Sequence, residues 1–299
     1  MIMLKLLTVK EVLMKHRIVK MLLVLLVIIG VGAAFVFYGI YVAPEHYQIT
    51  NESISSRKIP TALDNVSVAF ISDIHYGEFT DNKRLKKMVD KINQASPDVV
   101  LFGGDLFTDA LTVGANTEKV NYVTKELNDI KAPLGKFYVL GECDTKTVDS
   151  KTLVANILYN SGFEDLTNRN IKLHNGSATS VTLIGIDSLI NGSPDIQNAF
   201  NGVSSDSFNI VFTHVPDELA QVPSTSADLA FAGHSHGGQV SIPFFGSLTS
   251  TDGADKFESG IHTVNNLTIC ISNGLGTTGV DMRLFSPAEI VIYRLISKS

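Results

Sequence analysis

Five short clusters in this 299-residue chain carry side chains that bind divalent cations. Each follows an apolar, strand-like run. They are Asp73-Ile74-His75, Gly103-Gly104-Asp105, Gly141-Glu142-Cys143-Asp144, Thr213-His214 and Gly233-His234-Ser235-His236-Gly237-Gly238. Carboxylates and imidazoles together form the ligand set of hard-to-borderline divalent metals. An Asp-x-His or a Gly-Gly-Asp alone arises often by chance, whereas five such clusters in series, each after a strand, point to a metal site. The last is the most specific, because its glycines let the backbone turn tightly and leave both imidazoles on one side. His16, His46, His174 and His262 stand alone, read as surface or hydrogen-bonded residues, and receive no role.

Clusters so far apart need a scaffold that gathers them. Val66–Ile74, Asp98–Phe102 and Lys136–Leu140 are apolar runs of strand length. Between and after them, Asp81–Ala95, Asn116–Ile130 and Thr147–Asn160 read as helices. The first has Leu85, Met88, Val89 and Ile92 at helical spacing and Asp81 in place to cap it. Such alternation implies an α/β fold with a largely parallel sheet and helices on its faces. The second half is richer in strands: Val181–Ile186, Ser207–Thr213, Asp228–Ala232, Gln239–Ile242, Leu267–Ser272 and Glu289–Leu295. Open α/β sheets form sites at the C-terminal ends of their strands, which is where all five clusters fall. Polar residues 44–59 read as a tether, and one domain spans 60–299.

Asp73-Ile74-His75, Gly104-Asp105-Leu106-Phe107-Thr108-Asp109, Gly141-Glu142-Cys143-Asp144, His214 and Gly233-His234-Ser235-His236 resemble the five signature blocks of the calcineurin-like metallophosphoesterases. The stretch from Gly274 through Arg283 to Ile290 is similar to the membrane-associated bacterial branch of that family. The resemblance implies a four-layer α-β-β-α sandwich and two divalent ions (manganese, iron or zinc, manganese first). It assigns one ion to Asp73, His75 and His236 and the other to Glu142, His214 and His234, with Asp105 bridging them. Independently, two cations roughly 3.5–4 Å apart can clamp a phosphoryl group and need an anion between them.

The third block departs from the family's Gly-Asn-His-Asp/Glu. Glu142 replaces a ligand Asn and still offers oxygen, now charged. Cys143 replaces a His that serves the leaving-group oxygen, a loss of about 10²–10⁴-fold if nothing compensates. Cys143 and Asp144 are therefore catalytic candidates beside Asp105, with Asp144 a substitute proton donor. Asp109 is expected to stabilise its loop or a ligand histidine. Arg283 is a candidate for an anionic substrate oxygen.

Met21–Ala43 is a charge-free run of 23 residues. As a helix it is about 34 Å long, enough to cross a hydrocarbon core of about 30 Å. A signal peptide cleaved near Gly32-Ala33-Ala34 would end the run there, but it continues through Phe35-Val36-Phe37. Lys5, Lys10, Lys15, Arg17 and Lys20 all precede it, against Glu11 alone. The positive-inside rule then predicts a cytoplasmic segment 1–20, a transmembrane helix 21–43 and the rest outside a cell membrane. Subtracting that segment from 24 basic and 30 acidic residues leaves 19 against 29. An acidic body lacks the field that binding to nucleic acid needs. Cys143 and Cys270 form no disulfide framework, although spacing alone leaves one bridge open.

These readings combine into a membrane-anchored, outward-facing phosphohydrolase. It would cleave phosphoester or diphosphate bonds of a phosphorylated small-molecule or lipid-linked substrate by metal-activated hydroxide. The rival is a non-catalytic metal- or ligand-binding ectodomain derived from such an enzyme.

Overall fold

The computed structural model describes residues 2–243 and 245–298. Helix α1 (Ile2–Tyr41) begins well before the apolar run. It is long and apolar enough to cross a membrane, and its most apolar stretch is unburied by the rest of the protein, whereas Gly39, Ala43 and Pro44 at its C-terminal end are buried. In hydrocarbon a helix satisfies every backbone N–H and C=O internally, which suits an uninterrupted Leu/Val/Ile run. Pro44 stops it in a single 3₁₀ turn, Ala43–Glu45.

The chain then enters a sheet at once. Gln48–Ser56 is strand β1, paired in parallel along its whole length with the last strand. This corrects the expected tether 44–59. The strand is polar because it is an edge with mostly exposed side chains, and polarity without apolar alternation hid it.

The following elements alternate: β2 (Ser67–Ile71), α2 (Asn82–Ala95), β3 (Val99–Phe102), α3 (Ala110–Gly114), α4 (Thr117–Asn128), β4 (Gly135–Tyr138), α5 (Val148–Asn160) and β5 (Phe163–Asp165). Asp81, Asn116 and Thr147 cap α2, α4 and α5 by accepting from backbone N–H groups. Next come β6 (Arg169–His174), β7 (Ser180–Gly185), α6 (Ile196–Ala199), β8 (Asn209–Phe212), β9 (Leu229–Ala232), β10 (Ser241–Ile242), β11 (Gly246–Ser247), β12 (Gly260–Val264), β13 (Leu267–Ile271) and β14 (Glu289–Ser297).

Two six-stranded sheets result, ordered β1-β14-β2-β3-β4-β5 and β12-β13-β9-β8-β7-β6. β2 to β5 run parallel in the first, and β7, β8, β9 and β13 run parallel in the second. Val68, Phe70, Leu101 and Phe137 of one sheet meet Leu183, Phe212 and Phe231 of the other in a shared core. A second core lies under α2, α4 and α5, built on Leu85, Val89, Val123 and Ile157. The outermost layer on the second sheet is thin, formed by α6 and a 3₁₀ turn, Pro216–Gln221. The expected strand Gln239–Ile242 shrinks to β10, which pairs with β11 in a separate hairpin. Gly237 and Gly238 hold positive φ just before it and turn the chain away from the sheet.

Candidate metal centre

Each cluster sits where a central strand ends, and the ends of the two sheets meet. The backbone there is unusual. Asp73, His75, Asp105, His234 and His236 all have φ between 48° and 68°. That left-handed conformation is uncommon outside glycine and costs on the order of 1–3 kcal/mol per residue. Here it turns successive strand ends inward, toward one point.

Seven side chains converge. Nε2 of His75 and of His236 lie 3.9 and 3.8 Å from Asp73 Oδ1, and 3.2 Å from each other. On the other side, Glu142 Oε2 lies 2.5 Å from His214 Nε2 and 3.0 Å from His234 Nδ1. Asp105 is between the two groups, its Oδ2 3.6 Å from both His75 Nε2 and His214 Nε2. Its Oδ1 accepts from the Cys143 backbone N–H at 2.8 Å.

The donor atoms suit a cation. Glu142 Oε2, His214 Nε2 and His234 Nδ1 are buried and close together, yet none is aligned for a hydrogen bond. The far nitrogens are committed: His214 Nδ1 lies 2.7 Å from Gly103 O, and His234 Nε2 lies 2.7 Å from Asp252 O. A carbonyl only accepts, so those outer nitrogens each carry a proton, and the inner nitrogens are the ones placed to ligate. Burial holds the His75 pKa down to about 3 and that of His236 to about 4, leaving both rings neutral and able to ligate. Burial, followed by the charges of Glu142, Asp144 and Asp73, drives the Asp105 carboxyl well above its ordinary range. Burial opposes a charge on His214, but Asp105, Glu142 and Asp73 outweigh it and raise its pKa. Protons held among crowded carboxylates are what a bound cation replaces.

The remaining expected site residues divide. Cys143 is half-buried at the rim, and burial and Asp105 push its thiol far up, so it stays an S–H group. Asp144 is not an available acid. It is fully buried, and its carboxylate accepts from the backbone N–H groups of Asp105, Leu106 and Gly141 at 2.8–3.0 Å. It positions the second and third clusters against each other. Asp109 caps α3 through Leu111 N and Thr112 N, which is the loop role; Thr108 Oγ1, at 3.3 Å, is the neighbour of His75 Nδ1.

Arg283 does not reach substrate. It is fully buried, and its guanidinium donates to the carbonyls of Asn273, Gly274, Gly276 and Ser286. A glycine-rich loop exposes carbonyls that need donors, and Arg283 supplies them.

Above the ligands opens a cavity of about 550 Å³, with His75, Glu142, Cys143, His234 and His236 at its floor. Glu78, Gln239, Val240 and Val280 stand in its walls, and among the described residues no Lys or Arg lines it. Sequence reasoning missed Glu78, Gln239 and the carbonyl of Asp252, because none lies in a recognisable cluster.

The family model described as calcineurin-like phosphoesterase matches residues 66–238, more than half of the chain. The chain belongs to the calcineurin-like phosphoesterase family. It is 26% identical over 266 residues to the metallophosphoesterase YkuE of Bacillus subtilis, covering 87% of this chain and 89% of that protein. It is 28% identical over 272 residues to a transmembrane protein with metallophosphoesterase domain of Danio rerio, covering 87% and 60%. A metallophosphoesterase of Campylobacter jejuni, Cj0846, is 29% identical over 245 residues, covering 81% and 62%. The chain thus spans about three fifths of the last two proteins. As a calcineurin-like phosphoesterase it is a metal-dependent hydrolase of phosphate esters, with a mixed α/β fold and a candidate metal site.

Proposed function

We propose that this phosphoesterase holds two divalent ions, is anchored by α1 with its domain outside the membrane, and cleaves phosphodiester or diphosphate bonds. Asp73, His75 and His236 would hold one ion, and Glu142, His214 and His234 the other. The observation that carries the reading is Asp105, whose Oδ2 stands equidistant from an imidazole of each group. Such ions supply Lewis acidity toward phosphoryl oxygens and a nucleophile at neutral pH. Manganese is the first choice among manganese, iron and zinc, given the oxygen-and-nitrogen donor set.

The chain's own residues set the limits. Glu142 puts a carboxylate where a neutral amide would leave the centre one charge more positive. Cys143 offers only a weak S–H donor. Asp144 is closed off, so neither residue expected to protonate a departing oxygen is a ready acid. Substrates whose leaving groups depart unprotonated, such as diphosphates and activated diesters, fit that absence. The anchor rests on α1, on the basic residues preceding it, and on the likeness to the Danio rerio protein.

The test is the full chain in detergent, with Mn²⁺, on bis(p-nitrophenyl) phosphate, p-nitrophenyl phosphate and a nucleotide sugar. The diester and diphosphate should turn over, chelation should abolish turnover, and Asp105→Asn should reduce it at least a hundredfold. Metal binding without cleavage of any of them, under manganese, iron or zinc, would favour the binding-ectodomain alternative.

A further inference from the structure

The wall of the cavity doubles as an apolar face beside α1. Gln239 and Val240 begin the hairpin that carries β10 and β11, and Val280 lies in the loop opposite. The two pieces are tied: Ser241 N donates to Leu284 O at 2.9 Å and Leu284 N to Gln239 O at 3.0 Å. That loop in turn is docked on the helix. Arg283 N donates to Gly39 O at 2.9 Å, and Phe285 packs on Phe35 with ring centroids 5.7 Å apart. Phe35 lies a full helical turn before Gly39, back along the apolar run, so the loop reaches down the helix from its C-terminal end. A Cβ on Gly39 would come within 3.0 Å of Arg283 O, so the approach is backbone on backbone.

Large apolar side chains stand exposed on this hairpin and loop. Phe245 is 87% exposed, Leu248 62%, Val280 61% and Phe285 54%. From Gly237 to Thr251 the sequence has no charged side chain. In the loop the charged side chains between Val280 and Phe285 are engaged elsewhere, Asp281 with Arg84 at 2.7 Å and Arg283 with backbone carbonyls. Large apolar side chains exposed together on a water-facing surface mark a contact with another phase or molecule. Here the ridge is continuous with the one helix built to lie in hydrocarbon, which decides the occupant.

We infer that the ridge formed by Phe245, Leu248, Val280 and Phe285 seats in the bilayer surface beside α1, so that the cavity opens at the membrane and takes amphiphilic substrates. Their hydrocarbon stays in the bilayer while the phosphodiester or diphosphate head enters between Val240 and Val280. The substrate class rests on the phosphohydrolase reading above; the membrane contact does not. A cavity without Lys or Arg fits a head carrying little charge beyond the bond to be cut.

The chain has no tryptophan, so a single reporter can be placed anywhere. The full chain with Phe245→Trp is reconstituted in phosphatidylcholine vesicles, with Tyr159→Trp, 76% exposed on α5, as the aqueous control. The Phe245→Trp emission should be blue-shifted and quenched by acyl-brominated lipid, whereas the control should be quenched by acrylamide. Acrylamide quenching at both positions overturns the inference, and so does shielding of Phe245→Trp from both quenchers, which would mean that a protein, such as a second copy, covers the ridge. This readout needs no turnover, so it stands apart from the phosphohydrolase reading. For the substrate class, hexadecyl p-nitrophenyl phosphate in the same vesicles is compared with soluble bis(p-nitrophenyl) phosphate. Phe245→Ser with Leu248→Ser should lower the first rate at least tenfold and leave the second unchanged. Equal rates on the two would overturn the substrate class, and a wild-type chain inert on both would overturn the phosphohydrolase reading together with it.

Discussion

Five of the seven converging side chains sit on residues whose backbone is left-handed, which concentrates strain at the place where donors must face inward. Strain of this kind persists only where the surroundings over-determine it. Asp144 is one such determinant, holding three backbone N–H groups of the second and third clusters. Cys143 is the residue at which chemistry is least provided for. Its thiol is held protonated by burial and by Asp105, and it is a poor hydrogen-bond donor. Cys143→His should therefore raise turnover most where the leaving group most needs a proton. With phenyl phosphodiesters the gain should approach about 10²-fold, a modest share of what a positioned acid supplies. With p-nitrophenyl diesters it should be under tenfold. The measurement is the dependence of kcat/KM on leaving-group pKa, and an equal gain across the series would remove Cys143 from any part in leaving-group departure.

Among the elements, α2, α4, α5 and the central strands were legible because apolar spacing and caps agree with where they pack. Leu85, Met88, Val89 and Ile92 are the buried face of α2 as their spacing predicts. β1 was illegible, since an edge strand with an exposed face carries no alternation to read. The five clusters were legible as strand ends, but the nearness of His75 to His236 was expected only through the family resemblance, because no local pattern encodes contact between sheets. Arg283 was misread for a related reason: an arginine in a glycine-rich loop looks alike whether it faces substrate or its own backbone. In the fold it fastens 273–276 to 286, and Gly276 N also donates to Asp73 O at 2.6 Å. Arg283→Met would leave several buried carbonyls without donors, at about 1–3 kcal/mol for each that stays dry. A total near 3 kcal/mol corresponds to a melting temperature lowered by roughly 6–12 °C for a domain of this size. KM for a soluble aryl diester, measured well below that transition, should change less than threefold. An unchanged melting temperature with a raised KM would return Arg283 to the substrate.

Considered whole, the molecule is two sheets whose C-terminal ends meet at the site, and the donors are shared between them. Asp73, His75, Asp105 and Glu142 follow strands of the first sheet; His214, His234 and His236 follow strands of the second. A cation held in common would therefore tie the sheets at one end, as the shared core under Phe70 and Phe231 ties them along their faces. Binding restricted to the folded state stabilises by about 2.7 kcal/mol at a hundredfold excess over Kd, or roughly 5–11 °C for a domain of this size. The pKa values of Asp105 and His214 are both shifted upward in the metal-free centre, so a cation binding there competes with protons. Proton release on binding means that the affinity, and with it the thermal gain, is greatest at high pH and diminishes as pH falls. The expected outcome is a Mn²⁺-induced rise in melting temperature that is full at pH 8 and at least halved at pH 5.5, at constant total metal. Asp105→Asn removes one of those protons and the anion between the two groups. It should lower the rise at pH 8 and flatten its pH dependence, and a variant whose rise matched the wild type at both pH values would show that Asp105 does not hold the cations.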